Sequence, residues 1–422
     1  MLDLKFIREN AALVQEGARL KNFNVDIPAI LALDASLRVV QTEWENLQAE
    51  RNKIAKSIGS SETSKDEKEE LKKRSVFIKV RLEELEKDIQ PKKSELHSLL
   101  LHVPQPALAE APRGRDDREN VETRTFGTKP AFDFSPLDHV TLGEKLGILD
   151  IERGVKLAGS RSYILKGDGA LLEQALLRFT YDTLLTKGFT PISVPVLVGE
   201  KAMEGTGYFP LGKDQAYLVE KDALALVGTA EVPLCAMHAG ETFQEKGLPL
   251  RYMAQSSCFR REAGTYGKDT KGIYRVHQFQ KIEMVIFAAA DKEQSRLLHD
   301  ELLSISEYLL QQMKLHYRVV AVCTGDLGQG QVLKHDIEAW MPSRAGFGET
   351  HSCSSFYDFQ ARRLNIGYKD KDGVRKIAYT LNNTALAAPR AILAVLENFQ
   401  TKEGSIQIPE CLQKYMGKKV IS

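Results

Sequence analysis

A chain of 422 residues is long enough for a large core and for two domains. With 43% hydrophobic and 27% charged residues it has the makeup of a soluble globular protein, and 58 Lys+Arg against 57 Asp+Glu leave a formal net charge of +1. That balance neither requires nor excludes a nucleic-acid partner, so any basic footprint has to be local. No run approaches the ~20 apolar residues of a membrane span, and the opening MLDLKFIRENAALVQEG carries charges too often for a secretory leader. Cys235, Cys258, Cys323, Cys353 and Cys411 are scattered and form no C-x-x-C pair, so neither a disulfide framework nor zinc is expected. The expectation is a reduced, cytoplasmic protein with no membrane contact.

Residues 30–103 show helical periodicity and almost no strand signal. Leu33, Leu37, Val40, Trp44, Leu47, Arg51, Ile54 and Ile58 alternate steps of four and three, and so do Leu71, Ser75, Ile78, Leu82, Leu85, Ile89, Lys92, Leu96 and Leu99. This is the a/d spacing of a coiled coil. The intervening GSSETSKDE supplies Gly59 as a helix stop and a polar turn. In an antiparallel pair, facing positions must add to a constant. Ile58 with Leu71, Ile54 with Ser75, Leu47 with Leu82, Trp44 with Leu85, Val40 with Ile89 and Leu33 with Leu96 all do so. One helical hairpin reaching ~45 Å is therefore predicted, from ~30 residues per helix at ~1.5 Å each. Its distal half carries Lys53, Lys56, Lys65, Lys68, Lys72, Lys73, Arg74, Lys79 and Arg81 among several acids. Two readings stay open for these cations: a solvated helix surface, or a lever that touches a remote phosphate backbone.

The next stretch, VPQPALAEAPRGRDDREN, reads as an interdomain linker. The predicted organisation is an N-terminal domain at 1–110, a linker at 111–132 and a mixed helix-and-strand domain at 133–422. Within that domain, SCFRREAGTYGKDTKGIYRVHQFQKIEM (residues 257–284) concentrates chemistry. A strand over 252–262 puts Cys258, Arg260 and Glu262 on one face; a return strand over 276–287 puts His277, Phe279, Lys281, Glu283 and Val285 on one face. The loop between them, with Gly264, Gly267, Gly272, Lys268, Lys271 and Arg275, is too long for a tight turn. Such a surface offers an arginine for phosphate, an aromatic plate for a base and carboxylates for an ammonium. A salt-bridged sheet surface is the competing reading.

The pattern F-R-x-E, a long loop, then H-Q-F-x-K-x-E resembles motif 2 of the class II aminoacyl-tRNA synthetases in the form found in the seryl-tRNA synthetase family. Three further segments agree: KGFTPISVP (187–195) resembles motif 1, LNNTALAAPRAILAVLENFQ (381–400) resembles motif 3, and GTAEVP (228–233) resembles the segment lining the serine pocket. The helical hairpin ahead of such a module is also a feature of that family. The resemblance spans essentially the whole chain. It implies an α+β fold: an antiparallel catalytic sheet flanked by helices and preceded by the coiled-coil arm.

The resemblance further implies serine–tRNA ligase activity: L-serine and ATP give seryl-adenylate with Mg²⁺, and the seryl group passes to tRNA(Ser) and to tRNA(Sec). It implies Arg260, Glu283 and Arg390 as catalytic residues. Arg260 grips the α-phosphate, Glu262 lies beside adenine, Phe279 stacks on it, Val276 meets ATP, and Arg390 completes the stack or reaches the γ-phosphate. Glu349 and Ser352 hold metal and phosphate. Arg261, Thr350 and His351 fall within the ATP segments, with no individual role implied for Arg261 or His351. Thr229, Ala230, Glu231, Arg260, Glu283 and Thr384 form the serine pocket. Lys53, Lys56, Lys72, Lys73, Arg74 and Lys79 are the tRNA candidates on an arm that serves tRNA bound across a homodimer, motif 1 lying at the dimer interface.

Several residues admit plainer readings. Thr229 with Glu231 could cap a helix, Thr384 could cap the next one, Phe279 could be core, and Arg390 could pair with Glu397. The run ETHSCSSF also departs from the E-x-S-S-C-S-N-C common in the family. Glu349 and Ser352, three apart, fall on opposite faces of a regular strand, and only a bulge would bring them together.

Overall fold

Heptad spacing and end signals combine to make the arm. The structure is a computed structural model that describes residues 1–59, 64–264 and 271–422. The first heptad run becomes helix α1 (Ile27–Gly59) and the second helix α2 (Lys65–Leu100), of 33 and 36 residues. Ser64 caps α2 reciprocally: its hydroxyl accepts from the Glu67 N–H while the Glu67 carboxylate accepts from the Ser64 N–H. Ile54, Ile78 and Leu82 are buried in a seam with Trp44, Leu47, Ile58 and Leu71. Outside it, Arg74 pairs with Glu50 at 2.7 Å and Arg81 with Glu43 at 2.8 Å. Residues 60–63 of the polar segment between the two helices, and Gly267 and Lys268 of the later loop, lie outside the described residues.

The chain divides into two compact units. One holds Leu2–Arg19 and Phe23–Pro104; the other holds Met1, Leu20–Asn22 and Gln105–Ser422. The second is organised by an eight-stranded sheet. In chain order its strands are β1 (Val121–Phe126), β2 (Thr190–Pro191), β3 (Leu250–Phe259), β4 (Gln278–Ala288), β5 (Tyr317–Ala321), β6 (Leu333–Met341), β7 (Gly346–Tyr357) and β8 (Tyr379–Ala387). Their spatial order is β1-β5-β6-β7-β8-β4-β3-β2, antiparallel throughout except for the β2–β3 edge pair.

One face of this sheet is apolar. Ile282, Met284 and Ile286 of β4, with Cys353, Leu381 and Ala385, are fully buried under helices α3 (Asp168–Thr186), α5 (Lys292–Gln312) and α7 (Ala388–Asn398). Between these fall α4 (Glu231–Ala236) and the short α6 (Phe359–Arg363). Each of the Ile, Met and Leu side chains among them contributes ~1.5–3 kcal/mol on burial. That face fixes the register, since a one-residue slip would turn it outward.

The sequence expectations differ from the fold in the linker and in both strands of the motif 2 hairpin, whose return strand begins at Gln278 rather than 276. The segment read as a linker contains β1, an edge strand whose six residues are all exposed. Without a buried face it has no alternating apolar pattern to reveal it. The first strand of the motif 2 hairpin stops at Phe259 rather than 262, and Glu262 adopts a left-handed φ of 53°.

Candidate active site

The opposite face of the sheet is lined with charge. Strand alternation places Phe279, Lys281 and Glu283 of β4 on one side, and the same rule places Asn382 and Thr384 of β8 beside them, Glu283 pairing in register with Thr384. They open into a cavity of about 420 Å³, within the range of small-molecule sites. Arg260, Arg275, Lys281, Lys334 and Arg390 line it together with Glu231, Glu262, Glu283 and Glu349.

A bulge solves the Glu349–Ser352 spacing. Ile337 of β6 pairs with His351 and Glu338 with Glu349, so the register skips Thr350, whose hydroxyl donates to the Ile337 carbonyl at 3.1 Å. The extra residue shifts the alternation by one, and Glu349 and Ser352 both reach the cavity. A second irregularity, at Ala385 in β8, sits opposite Ile282 and Glu283. The Ala385 carbonyl lies 3.1 Å from the His351 imidazole Nε2.

The cations are held at fixed positions. Arg260 donates from Nε to the Gly228 carbonyl at 3.3 Å, and its guanidinium lies 5.4 Å from the centre of the Phe279 ring. Arg390 donates to the Glu349 carbonyl at 2.8 Å, approaches the Glu349 carboxylate at 3.4 Å and covers the Tyr274 ring at 4.7 Å. Arg275 pairs with Glu262 at 2.7 Å. Lys281 forms an ion pair with Glu283 and donates to the Thr229 hydroxyl at 2.7 Å. Lys334 pairs with Asp336 at 2.9 Å, and Asp336 stands in register with Ser352.

These neighbours shift the acids apart. Burial and the Glu283 charge push Glu231 up to about 7, against hydrogen bonds from Tyr208 and Gln360 and the Lys281 charge. Burial also raises Asp336, to about 6, against the pull of Lys334. At Glu349 burial is outweighed by Arg390, Lys334 and Arg260, which hold the carboxyl below its ordinary value. A buried ion pair is weak evidence of stability, and a cleft with such perturbed groups is a functional-site signature.

Among the residues singled out in the sequence, Arg260, Glu262, Val276, Phe279, Glu283, Glu231, Glu349, Thr350, Ser352, Thr384 and Arg390 converge on this one cavity. Others do not reach it. Arg261 projects outward and donates to the Asp214 carbonyl at 3.5 Å, because the next residue in an extended chain faces the other way from Arg260. His351 is buried against Thr350 and Ala385, on the far side of the bulge, and burial lowers it to about 4. Ala230 belongs to the apolar core, and Thr229 is buried behind Lys281. Arg390 does not pair with Glu397, which instead binds His139 at 2.7 Å. The arm candidates Lys53, Lys56, Lys72, Lys73, Arg74 and Lys79 are all exposed, with Arg74 bound to Glu50.

Sequence reasoning gave no role to Lys281, Lys334, Asp336, Tyr208, Gln360 or Asn382. Parity with Thr384 would have found Asn382, whose buried Nδ2 lacks a protein partner among the described residues. Nothing local marks Tyr208 or Gln360, which reach Glu231 only through the tertiary fold.

Comparison with known proteins places the whole chain. The family model described as the tRNA synthetase class II core domain (G, H, P, S and T) matches residues 217–399, and that of the seryl-tRNA synthetase N-terminal domain matches residues 1–106. The serine–tRNA ligase of Deinococcus radiodurans is 43% identical over 421 residues, covering 100% of this chain and 99% of that protein. That of Dictyoglomus turgidum is 42% identical, covering 99% and 98%. The crystal structure of seryl-tRNA synthetase from Pyrococcus horikoshii complexed with ATP superposes with a TM-score of 0.93 at 40% identity, covering 100% of this chain and 99% of that one. The cytoplasmic serine–tRNA ligase of Naegleria fowleri in complex with AMP gives 0.87 at 29%, with the same coverage. With both family models in chain order and full-length relatives above 40% identity, this chain belongs to the seryl-tRNA synthetase family.

Proposed function

We propose that the protein is a serine–tRNA ligase that joins L-serine to ATP and then to tRNA(Ser), and to tRNA(Sec) where that tRNA exists. The observation that carries this reading is the convergence of Arg260, Phe279, Glu231, Glu283 and Arg390 on one cavity. In the first step a serine carboxylate oxygen attacks the α-phosphorus, the bond to the β-phosphate breaks, and pyrophosphate leaves. The carboxylate is already ionised, so the site's task is to bring two anions together in line and offset their charge. Arg260 meets the α-phosphate, Phe279 stacks on the adenine with Glu262 beside it, and Arg390 completes that stack or reaches the γ-phosphate. Glu231 receives the serine ammonium. Glu283 and Thr384 meet the rest of the small substrate, where hydrogen bonds left unmade exclude alanine and lack of room excludes threonine. In the second step a ribose hydroxyl at the tRNA terminus attacks the adenylate carbonyl, and AMP leaves.

Mg²⁺ fits the residues present. The Glu349 carboxylate and Ser352 hydroxyl are hard oxygen donors that the bulge turns into the same cavity, and Asp336 beside them keeps a buried oxygen without a protein hydrogen-bond partner among the described residues. When bound, the ion neutralises phosphate charge and orients the pyrophosphate that departs.

The arm supplies tRNA recognition. Lys53, Lys56, Lys72, Lys73 and Lys79 stand exposed on it, and Phe77 and Val76 are 57% and 65% exposed beside them. Cations with an accessible ring suit a structured RNA. A homodimer formed through the motif 1 segment, with each arm serving tRNA bound across it, is supported by Leu185 and Leu197, exposed apolar side chains that flank the edge strand β2 in sequence. The proposed location is the cytoplasm. No helix among the described residues is long and apolar enough to cross a membrane. The test is aminoacylation of a purified tRNA mixture with each labelled amino acid in turn. Serine alone should be incorporated; preferential incorporation of another amino acid would overturn the reading.

A further inference from the structure

The wall behind Glu231 is organised by a neutral side chain that belongs to none of the sequence motifs. Gln360, in α6, is fully buried and does not line the cavity. Its Nε2 donates to Glu231 Oε1 at 2.7 Å and to the Thr206 carbonyl at 3.2 Å. Its Oε1 accepts from the Thr380 hydroxyl at 2.7 Å, with Cys235 Sγ at 3.7 Å. A carboxylate and a carbonyl can only accept, so these partners fix which way the amide points. The second Glu231 oxygen accepts from Tyr208 at 2.8 Å. Segments far apart in sequence thus meet at one carboxylate.

The choice of an amide has a chemical reason. A lysine or arginine here would neutralise Glu231 and compete with an incoming ammonium. A carboxylate would repel it, and an apolar side chain would leave a buried charged oxygen unsatisfied. Gln360 gives two donors and no charge. Tyr208 lines the cavity and is open to the substrate, whereas Gln360 holds Glu231 from behind.

We infer that Gln360 is a positioning residue for amino-acid selection, setting where and at what angle the Glu231 carboxylate meets the substrate ammonium. This rests on the reading of the cavity given above. Glu231 also faces Glu283 and Lys281 from β4, Tyr208, and the Cys235 thiol of its own helix. Donation from Gln360 favours the charged carboxylate, against burial and Glu283. Loss of Gln360 therefore has two readouts, one in affinity and one in pH.

The experiment is serine-dependent exchange of pyrophosphate into ATP by the full-length enzyme, measured across pH for Gln360→Met and Thr380→Val. Gln360→Met should raise the serine KM by ~10- to 100-fold while the ATP KM stays within about twofold. The acid limb of kcat/KM for serine should move to higher pH, a shift that a purely structural role would not produce. Thr380→Val, which frees the oxygen side of the amide, should change both in the same direction by less. An unchanged serine KM, or serine and ATP KM rising together with the limb fixed, overturns the assignment. If Gln360→Met does not fold, Thr380→Val decides by the same criteria. Absence of serine-dependent exchange by the unaltered enzyme would instead remove the parent reading of the cavity.

Discussion

The arm and the cavity face of the sheet handle charge in opposite ways. In the arm the seam of Ile54, Ile78 and Leu82 is apolar and the lysines stand in water. On the sheet Lys281 and Glu283 are only 5% and 2% exposed, and Glu231 and Asp336 are nearly as deep. Taking an ion out of water costs several kcal/mol even after relaxation, and a pair recovers that only in part. An exposed lysine costs almost nothing. On the proposed reading the arm's cations are adjustable contacts to a polyanion, while those of the cavity are pre-set for a reaction in which two anions must meet.

The comparison can be broken from either side. The largest local effect is expected at Arg260. Arg260→Ala should lower pyrophosphate exchange by ~100-fold or more with the fold intact, the scale of losing a donor aimed at transition-state charge. Circular dichroism and melting temperature check the fold, and near-normal exchange would show that the cavity cations are structural. A smaller, graded effect follows from Glu231, which burial and Glu283 bring to about 7. An ammonium needs the ionised carboxylate, so kcat/KM for serine should fall about tenfold per pH unit below about pH 7 and level off above it. Over the same range the KM for tRNA, which the proposal assigns to the arm, should stay flat. A serine profile that is level down to the ordinary carboxylate range would contradict this.

The two regions also differ in how far they can be read from sequence. In the arm every seam position repeats a local rule, and Ile54, Leu47, Trp44, Ile58, Leu71, Ile78 and Leu82, all read from the heptad spacing, do share one cluster. On the sheet alternation sufficed for Phe279, Lys281 and Glu283 because β4 is regular along that stretch. It failed at Glu349 and Ser352, where the bulge at Thr350 depends on pairing with β6. It failed for His351, which the same bulge turns away from the cavity, whereas Arg261, which alternation puts on the other face, was drawn in only by the resemblance. Gln360 was invisible because its partners, Thr206, Glu231 and Thr380, are brought to it only by the folded sheet. The strand at Val121–Phe126 was hidden because it buries nothing. Local periodicity exposes what neighbours in sequence decide; bulges and second-layer hydrogen bonds are decided by strands far away.

The central claim is that the sheet carries the chemistry and the arm chooses the nucleic acid. Its most direct test is to delete residues 36–96 and measure both half-reactions on one preparation. Serine-dependent pyrophosphate exchange should stay within about threefold of the full-length enzyme, while tRNA charging falls ~1,000-fold, as several lost phosphate contacts would produce. Equal loss of both activities, or undiminished charging, would contradict the claim.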